Sequence, residues 1–148
     1  MNTTMRMNNM IKALAASLTV ALALAACATP VQRTASGEIP PARIYIKSMT
    51  EQAAGLSQVE FSRSGGLLNN ELLELSINDV VLAQIAGGEH LSIWLKPGSY
   101  DFSVKRINTL TEGSAPTQHK LTLQVNQSGA YKIQISTELR GLTIQLMK

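Results

Sequence analysis

Few side chains in this sequence combine the type and the spacing that chemistry requires. Cys27 is the only cysteine among 148 residues, and its thiolate is the strongest nucleophile the chain offers. His90 and His119 stand 29 positions apart, with no cysteine to join them in a zinc site of three or four convergent ligands. Glu89 and His90 are the one adjacent acid–imidazole pair. On a strand they point to opposite faces, so a surface histidine accounts for His90. Glu71 and Glu74 are near enough for paired acid–base work, but a solvated face explains them better. The G-x-S-x-G elbow, the phosphate-cradling glycine loop and H-E-x-x-H are all missing from the sequence. The expectation is a chain with no catalytic residue, no metal site and no cofactor.

The surroundings of Cys27 suggest a different use for its thiolate. Arg6 and Lys12 make a positive N-terminal region, and Ala13 to Leu24 is an uncharged run of twelve residues rich in Ala and Leu. As a helix this run spans about 18 Å, short of the ~30 Å hydrocarbon core, which favours a secretory signal over a permanent membrane span. Starting at Met5 or Met7 instead of Met1 still leaves that charged region. Leu24-Ala25-Ala26-Cys27 then resembles the lipobox of bacterial lipoproteins: a branched apolar residue, two small ones, and the cysteine. The resemblance implies cleavage between Ala26 and Cys27 and acylation of Cys27, palmitate included. It also implies attachment to a membrane through N-terminal acyl chains. Residue 28 is Ala, where an inner-membrane lipoprotein of the enterobacterial type carries Asp, which implies the outer membrane and a domain facing the periplasm.

Charge and composition then apply to the remainder. Removing residues 1–26 takes away Arg6 and Lys12 and leaves eleven basic against ten acidic side chains. The basic character belongs to the leader, so nucleic acid is not an expected partner. About 40% of residues 27–148 are apolar, enough for a globular core. With Cys27 acylated no disulfide can form, and that core must hold the fold alone. Residues 27–41 hold three of the five prolines and show no apolar periodicity, which reads as the lipidated cysteine and a tether.

From residue 42 to 148 the apolar residues recur with period two, the mark of strands with one buried face. Ile44 and Ile46 suggest a first strand, followed by Leu73-Leu75-Ile77, Val80 to Ile85, Leu91-Ile93-Leu95, Tyr100-Phe102-Val104, Leu121-Leu123-Val125, Tyr131-Ile133-Ile135 and Leu142-Ile144-Leu146. Within the weak stretch 49–72, Val59 and Phe61 suggest another strand, Gly65-Gly66 and Asn69-Asn70 suggest loops, and Leu67 to Leu73 admits a helical turn. Asn78-Asp79 reads as a hairpin turn, Pro97-Gly98-Ser99 as a second one, and Asn108 to Gln118 as a long loop. The fold class expected is all-β, an antiparallel β-sandwich of seven to eight short strands.

The run Leu75 to Val104 resembles a PEGA-type β-sandwich module, and more closely a related domain of unknown function found in small bacterial lipoproteins. The likeness rests on the Ile77-Asn78-Asp79 turn, the glycine step at Gly87-Gly88, and Leu95-x-Pro97-Gly98-x-Tyr100. Ala42 to Ile46 matches the leading "A-R-I-Y-I" element and Gly129 to Ile133 the late "G-x-Y-x-I" element. Asp79 departs from the pattern, which has glycine there. These motifs imply the fold and no activity. Trp94 is the residue that alternation leaves outside the core. It is covered by the protein's own chain, or it marks a contact surface with Tyr45 and His90. The expected function is a non-enzymatic envelope lipoprotein that contacts another envelope protein. The alternative is a glycan- or peptidoglycan-binding module using an exposed aromatic platform.

Overall fold

A computed structural model of the chain describes Thr34 and residues 37–66, 71–107, 118–138 and 141–148. The leader, Ala26, Cys27 and most of the tether lie outside the described residues, as do most of the loop after Ile107 and residues 67–70 of the suggested helical turn.

Alternation of inward apolar and outward polar side chains produces eight strands: β1 (Ser57–Arg63), β2 (Leu73–Ile77), β3 (Val80–Ile85), β4 (His90–Leu95), β5 (Gly98–Arg106), β6 (His119–Val125), β7 (Ala130–Glu138) and β8 (Gly141–Met147). They form two four-stranded sheets, one ordered β4-β1-β7-β8 and the other β3-β2-β5-β6. The apolar inner faces meet in one core that includes Phe61, Leu75, Ile93, Phe102, Val104 and Ile133. Across it Phe61 and Phe102 pack edge to face, ring centroids 5.0 Å apart. The β-sandwich is therefore the fold.

Two connections differ from expectation. Pro97-Gly98-Ser99 does not close a hairpin, because β4 and β5 lie in different sheets. Ile93, Leu95, Phe102 and Val104 are all buried, as alternation requires. A hairpin and a sheet-to-sheet corner use the same turn residues and bury the same faces, so the pattern alone does not separate them. The second difference is that β1 and β7 run parallel, Gln58 opposite Ala130 through Arg63 opposite Ile135. All other strand pairs are antiparallel.

Local sequence explains the details. Asn78 and Asp79 both take positive φ, 48° and 63°, which makes the β2–β3 turn type I′ without the usual glycine. The Asn78 side chain fixes this turn by accepting the Asp101 N–H at 3.0 Å. In β3, Leu75 opposes Ala83 and Ser76 opposes Val81, so Leu82 is a bulge residue and both Leu82 and Ala83 reach the core. The two G-x-Y motifs share one device, in which the tyrosine ring folds back over the glycine two residues earlier. The Tyr100 hydroxyl donates to Lys96 O at 3.1 Å, and the Tyr131 hydroxyl accepts the Asn126 N–H at 2.8 Å. The fit is tight only at the second motif. A Cβ on Gly129 would stand 2.5 Å from the Tyr131 ring, against 3.6 Å for Gly98 and Tyr100. Gly129→Ala is therefore expected to cost about 1–3 kcal/mol as the ring is displaced, and Gly98→Ala much less. Urea denaturation of the two variants checks the contrast.

The N-terminal part of the domain is a strap, not the strand that Ile44 and Ile46 suggest. Two 3-10 turns, Pro41–Arg43 and Lys47–Thr50, flank a single bridge between Ile44 and Ala83. Pro40 and Pro41 have no amide hydrogen to add to a ladder, and Pro41 presets the turn. The strap begins at Gly37, earlier than the boundary at Ala42. Glu38 bridges His90 and Ile39 is buried in the core, so residues 37–41 belong to the folded domain and shorten the tether. Residues 37–46 run from the edge of β4 to the edge of β3 and cover both.

Candidate functional site

The docking of the strap creates a hydrogen-bonded polar region beside β4. Gly37 and Ile39 bracket His90: the His90 N–H donates to Gly37 O at 2.8 Å, and the Ile39 N–H donates to His90 O at 3.2 Å. Beside this short ladder lies a groove of about 330 Å³, walled by Glu38, Ile39 and Pro41 on the strap, Thr50, and His90 and Ser92 of β4.

Arg43 and Glu89 hold the strap down. The Glu89 side chain is 1% exposed and that of Arg43 13%. Arg43 Nη1 donates to Glu89 Oε2 at 2.9 Å and Nη2 donates to Oε1, a two-pronged pair. Oε2 also accepts the Ala86 N–H at 2.8 Å, and Nη1 donates to Gln84 O at 3.1 Å. Glu89 follows the tight Gly87-Gly88 step, where Gly88 takes φ +81°. That step turns the carboxylate inward, toward the strap.

A second buried cation closes the same end of the sandwich. Arg63 occupies an inward position of β1 after Val59 and Phe61, and its Nη1 donates to Glu71 O at 2.6 Å and Ile85 O at 2.9 Å. Its Nη2 donates to Thr137 Oγ1 at 3.4 Å. The Glu71 carboxylate lies 3.9 Å from Arg63 Nη2 and 3.3 Å from Arg106 Nε. The Arg63 main chain exchanges bonds with Glu89 O and the Gly88 N–H, which joins the two clusters.

His90 and Trp94 share the outer face of β4, separated by Ser92, and Trp94 is half-buried opposite Gln58. Gln58 Nε2 donates to Ser92 Oγ at 3.1 Å, tying this face together. Tyr45 is 53% exposed but stands at the other sheet, its N–H donating to Leu82 O of β3 at 2.8 Å. Tyr131 packs partly buried against the core. The expected trio is thus divided, with His90 and Trp94 together and Tyr45 apart. His119 pairs in register with Val104, in the sheet opposite His90. Glu71 and Glu74 serve separate ion pairs, Glu74 with Lys105 at 2.7 Å. Among the described residues no group of three or more His, Cys, Asp and Glu could hold a metal ion. Ala26 and Cys27 lie outside the described residues.

Trp94 on this outer face supports only part of its own area. Trp94→Ala is expected to cost about 1–2 kcal/mol, and the native indole should be quenched by acrylamide. A blue-shifted, quencher-resistant emission would show that the chain itself covers the ring.

Sequence reasoning missed Arg43 and Arg63, and took Glu89 only as the neighbour of His90. An arginine at position 63 continues the inward row of Val59 and Phe61, and Glu89 likewise stands two residues before Leu91 in the inward row that β4 continues.

The fold and this strap define an all-β, two-sheet sandwich with an N-terminal segment pinned across one side. No family model and no curated relative matches the chain. Among solved structures, the chain is similar to one described as the NMR structure of the protein from Eubacterium rectale. The identity is 8% and the TM-score 0.41, covering 66% of this chain and 94% of that one.

Proposed function

We propose that this protein is a cell-envelope lipoprotein, anchored through acyl chains on Cys27, whose β-sandwich makes non-enzymatic contacts with an envelope protein. The outer membrane, with the domain facing the periplasm, is the location this reading takes from Ala28. The observation that carries the reading is Cys27, the sole cysteine, directly after Leu24-Ala25-Ala26 and the twelve-residue apolar run. The early start of the strap supports it. Only nine residues (28–36) separate Cys27 from Gly37, at most about 35 Å fully stretched. The domain then works close to the surface that holds it, with the Arg43–Glu89 pair keeping the strap from peeling into a longer tether. The contact face is the outer side of β4 with Trp94 and His90. A protein partner suits this face better than a glycan does, because Trp94, Tyr45 and Tyr131 do not line one aromatic platform.

Cys27→Ala tests the anchor. Radiolabelled palmitate incorporation should vanish, and the protein should remain uncleaved or leave the membrane fraction. A variant that still labels and still floats with membranes would overturn the assignment.

A further inference from the structure

We propose that the protein forms a symmetric dimer by pairing β8 with β8 of a second copy, which joins two sheets into one of eight strands. Gln58 N–H donates to Gly129 O at 3.1 Å and Ser64 N–H to Ile135 O at 3.0 Å, so the odd-numbered residues of β7 turn their main-chain groups toward β1. The even-numbered ones then turn toward β8, where Lys132, Gln134 and Ser136 stand opposite Met147, Gln145 and Thr143. On β8 it follows that Leu142, Ile144 and Leu146 direct their N–H and C=O groups to the open edge, since β8 pairs with β7 alone among the described strands.

Among the described residues, no strap and no further strand covers that edge. Edge strands are normally blunted by charge, proline or a covering segment. The strap covers the edges of β4 and β3, and β6 carries His119 and Lys120. From Gly141 to Met147 there is no charged residue and no proline, and Leu146 and Met147 are 42% and 48% exposed. Leu146 is thus an exception to the core assignment that alternation gives it.

The occupant that fits is a second copy, because the strand is complementary to itself. Leu142-Thr143-Ile144-Gln145-Leu146 has the same order of apolar and polar residues in both directions. Antiparallel pairing centred on Ile144 sets Leu142 against Leu146 and Thr143 against Gln145 of the second copy. It brings Leu142, Ile144 and Leu146, whose main-chain groups point to the open edge, into hydrogen-bonded pairs, each exchanging two bonds. No like charges oppose one another over these five positions, and the exposed Leu146 gains an apolar neighbour. The proposal stands on the β8 edge alone and does not depend on the anchoring of Cys27.

The test uses the full chain. Ile144→Cys places two thiols across the dyad at a Cα separation of about 5.5 Å, within the range a disulfide spans. Mild oxidation of the purified protein should give a covalent dimer. The unsubstituted chain, which retains Cys27, and the turn variant Val80→Cys should not give that band. Leu146→Lys alters an already exposed position, so the fold should survive by circular dichroism while self-association weakens by about tenfold or more. Light scattering of the unsubstituted protein should report twice the monomer mass. A monomer at all concentrations up to ~100 μM, a dimer indifferent to Leu146→Lys, or an Ile144→Cys protein that does not cross-link would each overturn the proposal.

Discussion

Phe102→Ala is expected to lower the unfolding free energy by about 3–5 kcal/mol, a large part of a small domain's stability. The ring is fully buried, meets Phe61 of the opposite sheet edge-on at 5.0 Å and stacks against Tyr100 at 6.4 Å. Its loss opens a cavity at the point where the two sheets touch. Asp101→Ala, one residue earlier, removes an exposed side chain and one hydrogen bond from Thr122 at 2.6 Å. That change should cost under about 1 kcal/mol. Chemical denaturation of both variants is the check, and equal small losses would mean the strand faces are reversed.

The second large effect is expected at Glu89. Removing one member of a buried ion pair leaves the other without its partner and costs about 3–5 kcal/mol. In Glu89→Ala the Arg43 guanidinium loses both carboxylate oxygens, and the Ala86 N–H loses its acceptor. The strap should loosen as well as the domain weaken. Limited proteolysis should therefore cut within residues 37–50 of Glu89→Ala under conditions that spare the native protein. Replacing Arg43 and Glu89 together by leucine should cost less than Glu89→Ala alone, because no charge is left unmatched. A double variant no better than the single would show that the strap is held mainly by Ile39 and the bridges to His90 and Ala83.

Much of this fold is legible in the sequence because burial on a strand depends only on which side a residue faces. Leu91, Ile93, Leu95, Phe102, Val104, Ile133 and Ile135 are inward by period alone, and each is buried. Partner choice is another matter. Nothing local in β4 or β5 distinguishes a hairpin from a corner, and nothing in β1 indicates that its parallel neighbour is β7, more than sixty residues later. The strap misleads for a related reason. Ile44 and Ile46 alternate as a strand does, but the preceding prolines and the distant carboxylate of Glu89 settle its shape. That His90 and Trp94 share one face of β4 follows from alternation, and the ion pair that pins the strap does not, because nothing local in the sequence brings Arg43 to a carboxylate 46 residues away.

The anchor remains the centre of this account, and the intact mass of the protein isolated from membranes tests it most directly. The expected species begins at Cys27, lacks residues 1–26, and carries the added mass of acyl chains on that first residue. A chain that keeps the leader, or one with an unmodified Cys27 thiol recovered from the soluble fraction, would contradict it.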